Sequence, residues 1–168
     1  MSDRLPAPGG LALVEALVNT VDLESGRDDL DTPEGRARFG IAEGDLDAAR
    51  ELRESLRATC LAHAGHPPHR PVAPLGDLLA RAPLYVAVDP RDGSARLAPA
   101  DDGPLLSRVA AAVAQALTEG TWERLKACEL PSCHWAYYDR SPAGRGRWCS
   151  MQVCGARAKM RRYRAKGA

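Results

Sequence analysis

Four cysteines stand closest to chemistry. Cys128 and Cys133 enclose four residues, Cys149 and Cys154 enclose four more, and fifteen lie between the pairs. Two short loops, each offering two thiolates, can close a tetrahedral site around one Zn2+. Four sulfurs leave no open position for a catalytic water, so the expected metal is structural. Such sites contribute about 10–16 kcal/mol of folding free energy near neutral pH, more than a core this small can supply.

Paired disulfides would satisfy the same spacing in an oxidising compartment. Glu15, however, interrupts the apolar stretch within Met1–Asn19, and neither a charged lead nor a small-residue cleavage site frames it. The expectation is therefore a cytoplasmic chain without a signal peptide, in which thiols stay reduced and clustered cysteines bind metal. No window is long and apolar enough for a membrane span. Cys60 stands alone on an apolar helix face and is expected to be an inert buried thiol. His134 reads as a neighbour of Cys133, because four thiolates already satisfy the metal. His63, His66 and His69 are spaced regularly, but Gly65, Pro67 and Pro68 break any helix that could align them, so a solvated loop is expected.

Beyond Cys154 lies a second candidate for function. Ala, Arg, Lys and Met dominate residues 156–166, which favours a helix. Val153, Ala156, Met160 and Tyr163 follow helical spacing and are expected to pack on the zinc knot. Arg157, Arg161 and Arg164 then line one side, with Lys159, Arg162 and Lys166 roughly opposite. Arg140, Arg145 and Arg147 add positive charge from the loop between the cysteine pairs. A solvated face normally mixes signs; here no acidic residue follows Asp139. A phosphate backbone is the natural complement, and the predominance of Arg suits bidentate contacts to phosphate or guanine. The rings of Trp135, Tyr137, Tyr138 and Trp148 are expected to form the module's small apolar shell.

The net charge of +1 hides this polarity. Residues 121–168 hold 11 Lys and Arg against 3 Asp and Glu, whereas residues 1–120 hold 12 against 19. Such asymmetry points to a nucleic-acid contact on the basic part.

Ahead of this module the periodicity is mostly helical. Leu11, Val14, Val18 and Val21 predict a helix over 11–23, and Thr32-Pro33 opens a short one that stops near Gly40. Asp45 is the expected N-cap of a longer helix carrying Leu46, Ala49, Leu52, Leu56 and Cys60 on one face. A proline-rich loop from Gly65 to Pro74 leads to a short helix over 75–81. Residues 84–88 read as a strand, residues 89–93 as a turn, and residues 95–98 as the hairpin partner. Leu106, Val109, Val113 and Leu117 mark a further helix, with Gly120 as its C-cap. Composition changes most sharply at Gly120-Thr121. The expected fold is mainly α, or α+β counting the small β-hairpin. A helical domain over 1–120 precedes a four-cysteine, treble-clef-like zinc module over 121–168 that ends in the basic helix.

These residues also carry a family likeness. Cys128-Glu129-Leu130-Pro131-Ser132-Cys133, Tyr137-Tyr138-Asp139-Arg140-Ser141, Arg147-Trp148-Cys149-Ser150-Met151, Cys154-Gly155-Ala156-Arg157-Ala158-Lys159 and Tyr163-Arg164-Ala165-Lys166 together closely resemble the CGNR zinc finger. Ala156 replaces the asparagine of that family's Cys-Gly-Asn-Arg motif and leaves the ligands intact. Leu11–Thr20 and Asp31-Thr32-Pro33-Glu34 resemble the ABATE domain that accompanies this finger. The resemblance implies a bacterial, stress-linked transcription regulator, with the finger binding DNA and the larger domain sensing a small molecule. The expected partners are thus double-stranded DNA, with RNA or the ribosome as the alternative, and a small-molecule effector. A homodimer is left open. No nucleophile elbow or phosphate loop marks residues 1–120, so no enzyme is expected.

Overall fold

The structure is a computed structural model that describes residues 5–166; residues 1–4 and 167–168, the outer ends of the two expected domains, lie outside the described residues. Its core is built on three helices, α1 (Leu11–Val18), α3 (Leu46–His63) and α5 (Leu105–Thr118). Leu11, Val14, Leu17 and Val18 of α1 meet Leu52, Leu56 and Cys60 of α3 and Val109, Ala112 and Val113 of α5 in one apolar cluster. Two short helices, α2 (Pro33–Ala37) and α4 (Leu75–Leu79), close its flanks.

Local chemistry explains most boundaries. The Thr32 hydroxyl accepts from Gly35 N at 3.0 Å ahead of Pro33, as a capped first turn requires. Gly120 takes φ +65° at the end of α5, while Thr121 N donates to Ala116 O and Gly120 N to Leu117 O, a Schellman closure. Asp45 does not cap α3 with its side chain. It ends a 3-10 turn, Glu43–Asp45, that runs straight into the helix.

Helix α1 is shorter than its periodicity suggests. It stops at Val18 because Val21 leaves the helix to bridge Asp28 in extended backbone. In α5 the apolar face is rotated from the expected one: Leu117 is 59% exposed, and Ala110, Ala112 and Ala116 are buried beside Val109 and Val113.

Strands β1 (Leu84–Val88) and β2 (Ala95–Pro99) form the expected antiparallel hairpin, with Val86 opposite Leu97, and lie against α5. A second hairpin joins β3 (Leu125–Ala127) to β4 (Ala136–Tyr138), with Lys126 opposite Tyr137. Trp122, Leu125, Ala127 and Ala136 belong to the same apolar cluster as the three long helices. The hydrophobic core therefore runs across the compositional boundary at Gly120. A single π-helical turn, Met151–Gly155, leads into α6 (Ala156–Lys166). The whole is mainly helical with two small antiparallel hairpins. Among the described residues no helix is long and apolar enough to cross a membrane.

Candidate metal centre and basic helix

Cys128 follows β3 directly, and the chain then turns sharply enough for Cys133 N and His134 N to donate to Leu130 O. His134 closes the turn at φ +46°, the left-handed region that histidine enters more readily than most side chains. The second pair comes from the far end of the module. Ser150, next to Cys149, accepts from Val153 N and so caps the turn that carries Cys154 at the root of α6. A hairpin knuckle and a helix start facing one another make the treble-clef-like arrangement.

All four sulfurs lie within 4.8 Å of one another. Cys133 Sγ to Cys149 Sγ is 3.7 Å and Cys149 Sγ to Cys154 Sγ is 3.6 Å. A tetrahedron with 2.3 Å metal–sulfur bonds has edges of about 3.8 Å, whereas a disulfide would need about 2.05 Å. The donor set and spacing thus fit one zinc. Electrostatics agrees, because bare thiols this close cannot all ionise. Hydrogen bonds from Cys133 and Cys149 draw the Cys128 thiol down, and the same contacts push Cys133 and Cys149 up. Only a central cation lets all four be thiolates. The four cysteines hold one structural zinc.

Leu130 and Tyr137 pack on the ligands, with Trp135 and Trp148 partly buried beside them. Tyr138 departs from the expected shell: strand alternation turns it to the opposite side, where it packs on the helical core. Cys60 is buried on α3, far in chain and role from the site, and burial pushes its thiol up to about 12.

The loop between the pairs is organised by Asp139, which is 2% exposed. Its carboxylate accepts from Lys126 Nζ at 3.1 Å, Ser141 N at 3.0 Å and Gly146 N at 2.7 Å. Burial works against the charge, but these donors hold Asp139 down at about 2. Position 146 must be glycine, since a Cβ there would sit 2.8 Å from Asp139 Oδ1.

Polar side chains that the sequence pattern did not single out join the finger to the helices. Asn19 reads the backbone of Ala136 in both directions, Nδ2 donating to Ala136 O at 2.9 Å and Oδ1 accepting from Ala136 N at 2.7 Å. Arg57, fully buried on α3, donates to Val18 O at 2.6 Å and to His134 O at 2.9 Å. Its charge is met by Glu54, which also faces Arg53, and Arg53 reaches Asp28 at 2.7 Å. The histidines are not a solvated loop, contrary to expectation. His63 Nδ1 lies 2.8 Å from Leu125 O with its ring edge-on to Trp122, His66 faces Glu129, and His69 Nε2 lies 3.1 Å from Glu54. His63 is the last residue of α3, and the segment after it brings His66 and His69 within reach of Glu129 and Glu54.

The cations expected at a nucleic-acid surface divide into two groups. Arg147 forms a double contact with Glu129, each at 2.5 Å, and stacks on Trp148. Arg140 donates to the carbonyls of Leu5 and Pro6 and lies over the Tyr138 ring. Arg157 meets Glu24. Arg145, Lys159, Arg161, Arg162, Arg164 and Lys166 are exposed and form no ion pair among the described residues. The apolar stripe of α6 does not pack on the zinc knot as expected: Val153 is 50%, Met160 53% and Tyr163 77% exposed, and no residue of α6 is buried. The helix projects from Cys154 instead of folding back over it.

Residues 124–167 match the CGNR zinc finger family. Residues 11–120 match the ABATE family, described as "Putative stress-induced transcription regulator". No curated protein is similar enough to this chain to count as a match.

Proposed function

We propose that this chain, which belongs to the ABATE family, described as "Putative stress-induced transcription regulator", and carries a CGNR zinc finger over residues 124–167, binds duplex DNA through α6, with the N-terminal domain modulating the contact. One observation carries the reading: α6 starts two residues after the zinc ligand Cys154, projects with no buried residue, and presents Lys159, Arg161, Arg162, Arg164 and Lys166 without an acidic partner among the described residues. Cations at helical spacing without local neutralisation are what a phosphate backbone requires. The action is binding rather than catalysis, because four sulfurs close the metal site to a reacting water.

Modulation has a place to act. A cleft of about 570 Å³ separates the N-terminal domain from the root of α6, with Asp22, Glu24 and Arg27 on one wall and Trp135, Val153 and Arg157 on the other. A small molecule seated there would part Glu24 from Arg157.

Fluorescence anisotropy of the zinc-loaded protein on duplex DNA tests the reading. With about six cations on phosphates, affinity falls about a thousandfold between about 50 and 200 mM salt. A response independent of salt, or a clear preference for single-stranded RNA over duplex DNA, contradicts it.

A further inference from the structure

The exposed face of α6 has an order that general affinity for phosphate does not explain. Ala156, Met160 and Tyr163 share one side of the helix, and all three are exposed. A charged helix ordinarily uses such a stripe to reach a core. Among the described residues no core covers this one. At 3.6 residues per turn, Arg157, Arg161 and Arg164 fall along one flank of the stripe, and Lys159, Arg162 and Lys166 along the other. The helix thus carries two rails of positive charge with an apolar strip between them.

Two parallel rows of phosphate with a recess between them are the complement of that arrangement. The major groove of B-form DNA is about 12 Å wide, and an α-helix with its side chains about 10–12 Å across. The one apolar group on the groove floor is the C5 methyl of thymine. Other polyanions fit less well. The major groove of A-form RNA is too deep and narrow for side chains to read. A single strand offers one row of phosphates, and Tyr163 alone on α6 could stack on its bases. A helix lying on a lipid surface needs large apolar residues on its buried face, and this strip begins with Ala156 and contains no Leu, Phe or Trp.

We propose that α6 enters the major groove with Ala156, Met160 and Tyr163 against thymine methyl groups and its two cationic rails against the flanking strands, so that the protein favours duplexes that carry those methyls. The proposal rests on the duplex-DNA reading and adds the face that reads the base pairs. The stripe gives discrimination and the rails give affinity, so the two are separable by substitution.

The test uses the full-length zinc-loaded protein and alternating dA-dT, dA-dU and dG-dC duplexes, with an RNA duplex and phosphatidylglycerol vesicles as further probes. Uracil lacks only the C5 methyl. Each covered methyl is worth about fourfold in affinity, so dA-dT is expected to bind about tenfold tighter than dA-dU. Met160→Ala with Tyr163→Ala is expected to bring the dA-dT to dA-dU affinity ratio close to one; Lys159→Ala with Arg161→Ala weakens both duplexes by the same factor and keeps the ratio. Equal binding of dA-dT and dA-dU overturns the groove assignment while leaving DNA binding intact. Failure to bind any duplex, or tighter binding to the RNA or the vesicles, overturns both.

Discussion

Arg157 Nη1 donates to Glu24 Oε2 across 2.7 Å, joining the first cation of α6 to the acidic turn that follows α1. The two side chains are 49% and 58% exposed, so the pair is worth at most about 1 kcal/mol. Its consequence is competitive, because Arg157 cannot satisfy Glu24 and a phosphate together. Glu24→Gln is expected to tighten duplex binding by up to about fivefold, while Arg157→Ala weakens it and makes the Glu24 change silent. Measured affinities for the four combinations decide the matter; a weaker Glu24→Gln complex contradicts the competition.

Arg57 holds three elements at once, so its loss should be felt globally. Removing it takes one of two guanidinium partners from the buried Glu54 carboxylate, leaving Arg53, and leaves the Val18 and His134 carbonyls without their donor. Breaking a buried ion pair from one side costs about 3–5 kcal/mol. Urea unfolding of zinc-saturated Arg57→Ala should show a loss on that scale, and a loss below about 1 kcal/mol contradicts the role assigned to it.

The metal ligands and most turns are legible in the residues alone. Cysteine spacing is a covalent fact that survives folding, and Asp92-Gly93 and Gly120 mark turns through φ values of +72° and +65° that the local backbone demands. Helix phase is less legible: alanines carry the buried face of α5, and alanine is too small and too common to mark a face by periodicity. The contacts of Asn19 and Arg57 are not legible at all. Both bind backbone carbonyls or amides of residues distant in sequence, and the backbone leaves no residue type to read. The stripe on α6 is visible in the sequence but its role is not, because exposed and buried apolar stripes have the same spacing and differ only in whether a neighbour arrives.

Thiol chemistry separates the five cysteines. Burial holds the Cys60 thiol up at about 12, and it has no solvent exposure. Titration with an aromatic disulfide reagent should find no reactive thiol in the zinc-loaded protein, four after chelation and five after unfolding. Rapid reaction of a thiol with zinc in place contradicts the assignment of ligands.

Acid should loosen the joint between helices and finger. Burial pushes His69 below its ordinary value of 6.5, so the unfolded chain takes up this proton first. Stability is then unaffected by this group above about pH 7.5 and falls as pH drops below 6.5. Burial opposes the Asp28 and Glu54 carboxylates, yet Arg53, the Leu30 amide and Arg50 hold Asp28, and Arg57 and Arg53 hold Glu54, below their ordinary values of 3.8 and 4.5. Their contribution is present above those values and is lost as pH falls through the lower, folded ones. Thermal unfolding of the zinc-saturated protein against His69→Asn checks the first step: the variant should lose less stability between about pH 7.5 and 5.5, and an identical loss in both proteins contradicts it.

The central claim is that one zinc on Cys128, Cys133, Cys149 and Cys154 sets the root of α6 and thereby makes the helix a DNA-binding element. Its most direct test is duplex affinity of the full-length protein as isolated, after chelation, and after zinc is restored, with metal content measured on the same samples. One zinc per chain, loss of binding on removal and recovery on restoration is the expected result. Undiminished binding by metal-free protein would contradict that claim.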